Sequence, residues 1–256
     1  MNFQFDIVSW GVVFIRASAL LVILPIFSAT NTPVRLRVAF AAFLAIFVSQ
    51  LIPAVPPGVT KDVFGIVGIF AKEVGVGLVL GFSSRMVFYT LDLVGSLITA
   101  EMGLGAMSSP SPLSPQPQST PGTLLNYLAA VMWVALDLPR WLIVGFARTY
   151  DVVPAGGIRM SKELAFDMVE RTGQTFLVGL QMTAPILAVS FVISFVFSVL
   201  ARAVPQMNVF SESFTVRVLG TLAVFGMTIQ LMGQHISNYL NRLPEDFHRV
   251  AMLMGQ

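Results

Sequence analysis

Long apolar runs separated by short polar interruptions dominate the chain, and they predict helices. The runs extend from Ile7 to Phe27, Val34 to Ile52, Val63 to Ala100, Leu124 to Ala147, Thr175 to Val204 and Phe214 to Ile236. At a rise of about 1.5 Å per residue, the third run is nearly twice as long as a bilayer core of about 30 Å is thick, so it must bend, split or leave the bilayer. The fourth is interrupted by Asp137-Leu138-Pro139-Arg140. A proline with a polar neighbour there predicts two short halves joined by a hairpin or kink. The expected fold class is all-α, with polytopic hydrophobic helical hairpins that are kinked and partly non-spanning.

Composition agrees with this pattern. Hydrophobic residues make up 55% of the 256 positions and charged residues only 11%, far from the balance of a water-soluble domain. With 15 Lys and Arg against 13 Asp and Glu, the net charge of +2 supplies no basic field for nucleic acid. The absence of cysteine removes disulfides, iron–sulfur clusters and thiol nucleophiles from consideration. Only Asp6 is charged before the first run, which argues against a cleaved signal with a basic leading region.

Charged residues within or beside the runs constrain the architecture further. Arg16, Lys72, Glu73, Arg85, Asp92, Glu101, Asp137 and Arg140 all lie there. A charge at a helix centre costs about 2.5–3.5 kcal/mol on insertion scales, so these side chains are expected to face protein or water. Basic residues follow the first run (Arg35, Arg37), the second (Lys61) and the fourth (Arg159, Lys162, Arg171), and they select no orientation. One low-complexity stretch, Gly103 to Thr123, carries five prolines and no charge. It reads either as a flexible connector or as an ordered functional loop, and being uncharged it could lie in a narrow protein-lined passage.

Enzymatic chemistry finds no foothold in this pattern. His235 and His248 are too far apart for one helical metal site, and no phosphate-binding glycine loop is present. No catalytic, cofactor-binding or metal-binding residues are expected. A second class of reading is a small secondary transporter, with Arg85, Asp92 and Asp137 lining a midplane site. It calls for two inverted halves with matching broken helices, and no convincing pair is found.

The sequence Ala201 to Phe210, ARAVPQMNVF, ends an apolar run in a charge, a proline and two amides. Together with Arg16 and Pro25, then Pro33, Arg35 and Arg37, then Lys72-Glu73 followed by Gly77 and Gly81, it resembles the FliR family. Gly95 leading to Glu101-Met102-Gly103-Leu104, and Pro185 before Arg202, Pro205, Gln206, Asn208 and Phe210, extend the similarity over essentially the whole chain. The final group is the most specific. Two departures stand out: Ser111-Pro112 occupies the place of the family's aspartate-proline pair, and Leu138 to Trp141 replace polar turn residues.

The resemblance implies a non-enzymatic core subunit of the type III export gate of the flagellum. With FliP and FliQ, and with FlhB as a further partner, it would form the channel for unfolded flagellar proteins. The location would be the bacterial inner membrane, within the flagellar basal body. A homologous gate in a virulence secretion system is the alternative. Residues 1–160 would be FliP-like and include loop 103–123; residues 161–256 would be a FliQ-like hairpin and tail. The division would follow Gly156-Gly157 and precede an amphipathic stretch with Leu164, Ala165, Met168 and Val169 on one face.

The resemblance also implies roles for particular residues. Met102, Gly105, Met107, Pro110, Ser111, Pro112, Pro115, Pro117 and Pro121 would form or flank a pore plug, the methionines as a soft seal or as ordinary gap filling. Arg16, Lys72, Glu73, Gly77, Gly81, Arg85, Pro185, Arg202, Pro205, Gln206, Asn208 and Phe210 would make intersubunit contacts. For Gly77 and Gly81 the alternative is local helix packing. For Gln206 and Asn208 it is capping of backbone groups freed by Pro205.

Overall fold

The computed structural model describes residues 6–24, 27, 32–52, 63–104, 119–159, 161–206 and 208–255, apart from the side chains of Val63 and Phe210. The described chain is all-helical: α1 (Ile7–Ile23), α2 (Val34–Val48), α3 (Val63–Glu101), α4 (Thr120–Ala135), α5 (Leu138–Val152), α6 (Lys162–Ala203) and α7 (Val209–Gly255). The overlong third run is one unbroken helix of 39 residues. Its length of about 58 Å therefore exceeds a bilayer core without being divided.

The fourth run breaks where the sequence indicated. Asp137 adopts φ 55°, in the left-handed region that Asp tolerates better than most residues. Pro139 lies in the first turn of α5, where its missing N–H leaves no helical bond unmade. The two helices are sharply bent at this break. Helices α3, α6 and α7 are each long and apolar enough to cross a membrane, and the α4–α5 pair adds a fourth candidate if it counts as one span.

Helices α6 and α7 run to 42 and 47 residues, well beyond the apolar runs at 175–204 and 214–236. The additional turns are amphipathic. At the end of α7, Leu240, Leu243, Phe247, Val250 and Met254 recur every three or four positions and are all buried. At the start of α6 the buried face holds Leu164 and Asp167, while Val169 is exposed. The face expected from Ala165 and Val169 is thus turned, because an ion-paired aspartate takes an inner position.

Two compact units emerge. The first contains residues 6–86, 133–172 and 240–255, and the second 87–132 and 173–239. Each draws residues from both sides of the division expected near residue 160.

In the first unit, α1 packs on α2 and closely on α3. A Cβ at Gly77 would fall 2.5 Å from the Arg16 carbonyl oxygen and 2.7 Å from Ala19 Cβ. One at Gly81 would fall 3.1 Å from the Leu20 oxygen. Small residues one turn apart therefore let the two backbones touch. In the second unit α6 and α7 run antiparallel: Arg217 Nη2 donates to Ser194 Oγ at 2.8 Å, and a Cβ on Gly220 would meet Ile193 at 2.8 Å.

Candidate functional site

In the first unit two of the charged residues expected to face protein or water, Arg16 and Glu73, meet in one buried node. Arg16 on α1 and Glu73 on α3 are both fully buried. Arg16 Nε donates to Glu73 Oε2 at 2.5 Å, and Nη2 donates to Oε1 at 3.1 Å, the forked geometry that makes Arg–carboxylate pairs strong. Two further donors are used: Nη1 reaches Thr149 Oγ1 at 3.0 Å and Nη2 the Val153 carbonyl at 3.0 Å. The guanidinium carbon lies 3.7 Å from the centre of the Tyr150 ring, within cation–π range. Glu73 Oε1 also accepts from Gly156 N at 2.8 Å.

The node thus ties α1, α3, the end of α5 and the turn beyond it into one piece. Both expected interfacial residues find their partners inside the chain, with no side-chain surface left for a neighbour. Lys72, adjacent in sequence, points outward and is exposed. Arg85 donates to the Ile23 carbonyl at 3.2 Å. Gly77 and Gly81 are buried against α1, as local packing requires.

A second ionic cluster was not singled out from the sequence. Asp167 accepts from Arg171 Nε at 2.5 Å and pairs with Arg249 at 3.0 Å, while Arg171 reaches Asp246 at 2.8 Å. These four groups join the start of α6 to the last turns of α7. The spacing of Asp167 and Arg171, four residues apart on one helix, was the available signal. Their partners 75 or more positions away carried none.

In the second unit both ends of the middle loop are fixed. Glu101 accepts a hydrogen bond from Ser190 Oγ on α6, and Met102 is buried. Gly103 follows with φ 75°, a left-handed position suited to glycine, and lies against the Phe214 ring. On the return side a Cβ at Gly95 would fall 2.2 Å from Gly122 Cα and 2.5 Å from Ser119 Oγ. Ser119 Oγ accepts from Gly122 N at 3.2 Å, and Pro121 is buried. One turn earlier on α3, Asp92 accepts from Asn126 at 2.7 Å. The loop therefore leaves and re-enters the same end of α3. Gly105, Met107, Pro110, Ser111, Pro112, Pro115 and Pro117 lie outside the described residues.

The α6–α7 turn presents the motif that carried most of the resemblance. Helix α6 stops at Ala203, and Arg202, Pro205, Gln206 and Asn208 are all exposed. Asn208 Oδ1 accepts from Ser211 N at 3.4 Å, a cap on the first turn of α7. Pro185 sits inside α6, where Thr183 Oγ1 donates to the Gly179 carbonyl at 2.9 Å. The side chain of Phe210 is outside the described set.

This combination of long apolar helices, a tethered proline-rich loop and an exposed proline-amide turn finds a family match. The model of "Bacterial export proteins, family 1" matches residues 7–243. The chain belongs to that family. Among its relatives, the flagellar biosynthetic protein FliR of Bacillus subtilis is 24% identical over 246 residues, 95% of this chain and 94% of that protein. FliR of Pectobacterium carotovorum is 24% identical over 260 residues, covering 99% and 97% of the two chains. FliR of Escherichia coli is 22% identical over 200 residues, 78% and 76%. The FliR-family resemblance read from Arg16, Lys72-Glu73 and the Ala201–Phe210 motif is thereby borne out, and with it the membrane character of the chain.

Proposed function

We propose that this protein is a core subunit of the flagellar protein export gate, building with FliP and FliQ subunits the channel through which unfolded flagellar proteins leave the cytoplasm. The observation that carries the reading is the family match over residues 7–243, joined by FliR relatives aligned along nearly the full chain. Its place would be the inner membrane within the basal body, with FlhB as a further neighbour.

The geometry suits such a part. The node of Arg16 and Glu73 stiffens the first unit. The exposed Phe191, Val192, Phe195, Val196 and Val199 on α6 leave an apolar face for lipid or partner helices. Gly105 to Pro121, with ends held at Gly103 and at Ser119, would be the plug of the closed channel. Arg202, Pro205, Gln206 and Asn208, exposed at the hairpin turn, would contact a neighbouring subunit. The chain performs no chemistry in this reading; it positions a passage, and the energy for transport is supplied elsewhere.

The transporter reading gains nothing from the charged side chains, because each has a local partner. Arg85 meets the Ile23 carbonyl, Asp92 meets Asn126, and Asp137 lies near Arg140 at the exposed bend. Co-expression with its chromosomal neighbours tests the gate reading. The chain is expected to purify with two smaller hydrophobic subunits, and deleting its gene should abolish secretion of flagellar proteins. Elution alone under every mild detergent would end the proposal, and secretion loss confined to virulence effectors would move it to the homologous system.

A further inference from the structure

We propose that the groove between α5 and the last turns of α7 binds an anionic phospholipid. The inference rests on the membrane character of the chain and not on the export-gate reading. The two helices lie side by side in the same direction: a Cβ on Gly145 would meet the Phe247 ring at 3.4 Å, and one on Gly255 would meet the Val152 carbonyl at 2.5 Å. Between them runs a groove floored by the buried Leu142 and Phe247 and edged by the exposed Trp141, Val144, Arg148 and His248.

Charge complementarity selects the occupant. Both ionisable side chains in the lining are basic, while the exposed acids of α5 and of the last turns of α7, Asp151 and Glu245, are not part of it. Asp246 is already held by Arg171 at 2.8 Å. An apolar floor with the Arg148 guanidinium at its rim matches a ligand that has an acyl chain and a negative head. Trp141 and Arg148 are two turns apart on α5, about 10 Å along the axis. Trp141 is 54% exposed, as expected of an indole placed at the level of lipid headgroups. Arg148 can lay its aliphatic stem along the groove and present its guanidinium to a phosphate. A second copy of this chain would bring no concentrated negative charge to meet the rim, and a zwitterionic lipid would leave the Arg148 charge uncompensated.

Trp141 provides the readout. The full-length protein is reconstituted in phosphatidylcholine vesicles containing phosphatidylglycerol, with either one or the other lipid brominated at constant bulk composition. Subtracting the quenching seen in Trp141→Phe removes the contributions of Trp10 and Trp133. Brominated phosphatidylglycerol is expected to occupy the groove about fivefold more favourably than brominated phosphatidylcholine, the preference one basic side chain near an anionic headgroup supplies. Arg148→Gln with His248→Gln should abolish the preference, and Arg148→Lys should keep most of it. On the unmodified protein the preference should also fall as salt is raised. Equal occupancy by the two lipids, or a preference indifferent to both salt and the paired substitution, overturns the proposal. So does the absence of any quenching of Trp141, which would mean that protein covers the groove.

Discussion

Arg16 and Glu73, 57 positions apart, meet as a doubly hydrogen-bonded pair with neither side chain exposed. Taking both ions out of water is expensive, and the pair is supported because Arg16 also donates to Thr149 and the Val153 carbonyl and lies over the Tyr150 ring. The consequence is mechanical. Three helices and the turn at Gly156 are joined at one point, which fixes the frame on which the rest of the first unit is built.

Removing one partner strands the other. Arg16→Met or Glu73→Leu should each cost about 3–5 kcal/mol, read as a large fall in detergent-solubilised melting temperature or in recovered protein. The double replacement should cost less than the two single losses added together, yet stay below the parent. Val153 O and Gly156 N would still be left unpaired, each at about 1–3 kcal/mol. Strict additivity in that cycle would show that the pair is not coupled.

Two glycines on α3 should respond in opposite ways to the same methyl group. At Gly77 a Cβ meets the Arg16 backbone at 2.5 Å, whereas at Gly68 nothing lies within 4 Å. Gly77→Ala should therefore force α1 and α3 apart and destabilise by about 1–3 kcal/mol. Gly68→Ala should be neutral or stabilising by up to about 1 kcal/mol, because the helix interior no longer carries glycine's backbone entropy. Equal melting temperatures for the two variants would count against the close packing of these helices.

The α-helical class, the break at Asp137 and the family were legible because each rests on local pattern: apolar run length, a proline beside a polar residue, and the Ala201–Phe210 string. The helix ends were not. The apolar runs begin at Thr175 and end at Ile236, although α6 already starts at Lys162 and α7 goes on to Gly255 as amphipathic segments whose buried faces are set by tertiary partners. Likewise Glu73 announced that it needed a partner, but nothing local could name Arg16 over a neighbouring subunit. Pairing across 57 residues is a product of the fold, not of spacing.

At the start of α1 the Asp6 carboxylate accepts from Ser9 Oγ at 2.6 Å and from Val8 N at 3.1 Å. The Ser9 hydroxyl is the main cause that holds its pKa below the ordinary value, opposed by slight burial. A lowered folded-state pKa means that its stabilisation is complete above the unfolded value of about 3.9 and is lost as pH falls through the folded value. Asp6→Ala should cost about 1 kcal/mol at neutral pH. The difference from the parent should shrink below about pH 4. A pH-independent difference in unfolding midpoint would rule out the carboxylate as the capping group.

Pro205 lies in an exposed turn between two helices that already pair at Arg217 and Ser194. Pro205→Ala should therefore change the stability of the isolated chain by no more than about 1 kcal/mol, mainly through the unfolded state. If the turn contacts a neighbouring subunit, recovery of the assembled complex and flagellar secretion should fall while helix content is unchanged. Unaltered assembly would reduce the motif to a helix stop.

The middle loop offers the sharpest separation of readings because its two anchors survive its removal. Gly103 against Phe214 and Gly95 against Gly122 belong to the helical frame, as do the bonds from Ser190 to Glu101 and from Gly122 N to Ser119. Replacing residues 106–117 with a short glycine-serine link therefore leaves those contacts in place, and proline- and serine-rich sequence contributes little to a packed core. Helix content and co-purification with the smaller subunits should match the parent. If the loop closes the channel, the assembled complex reconstituted in vesicles should leak ions or small solutes that the parent complex retains. A connector would give an intact and tight complex, and an element essential to packing would give no complex at all. Measuring leak and complex recovery on the same deletion therefore separates the three, and a tight, fully assembled complex would remove the plug from the account of this protein.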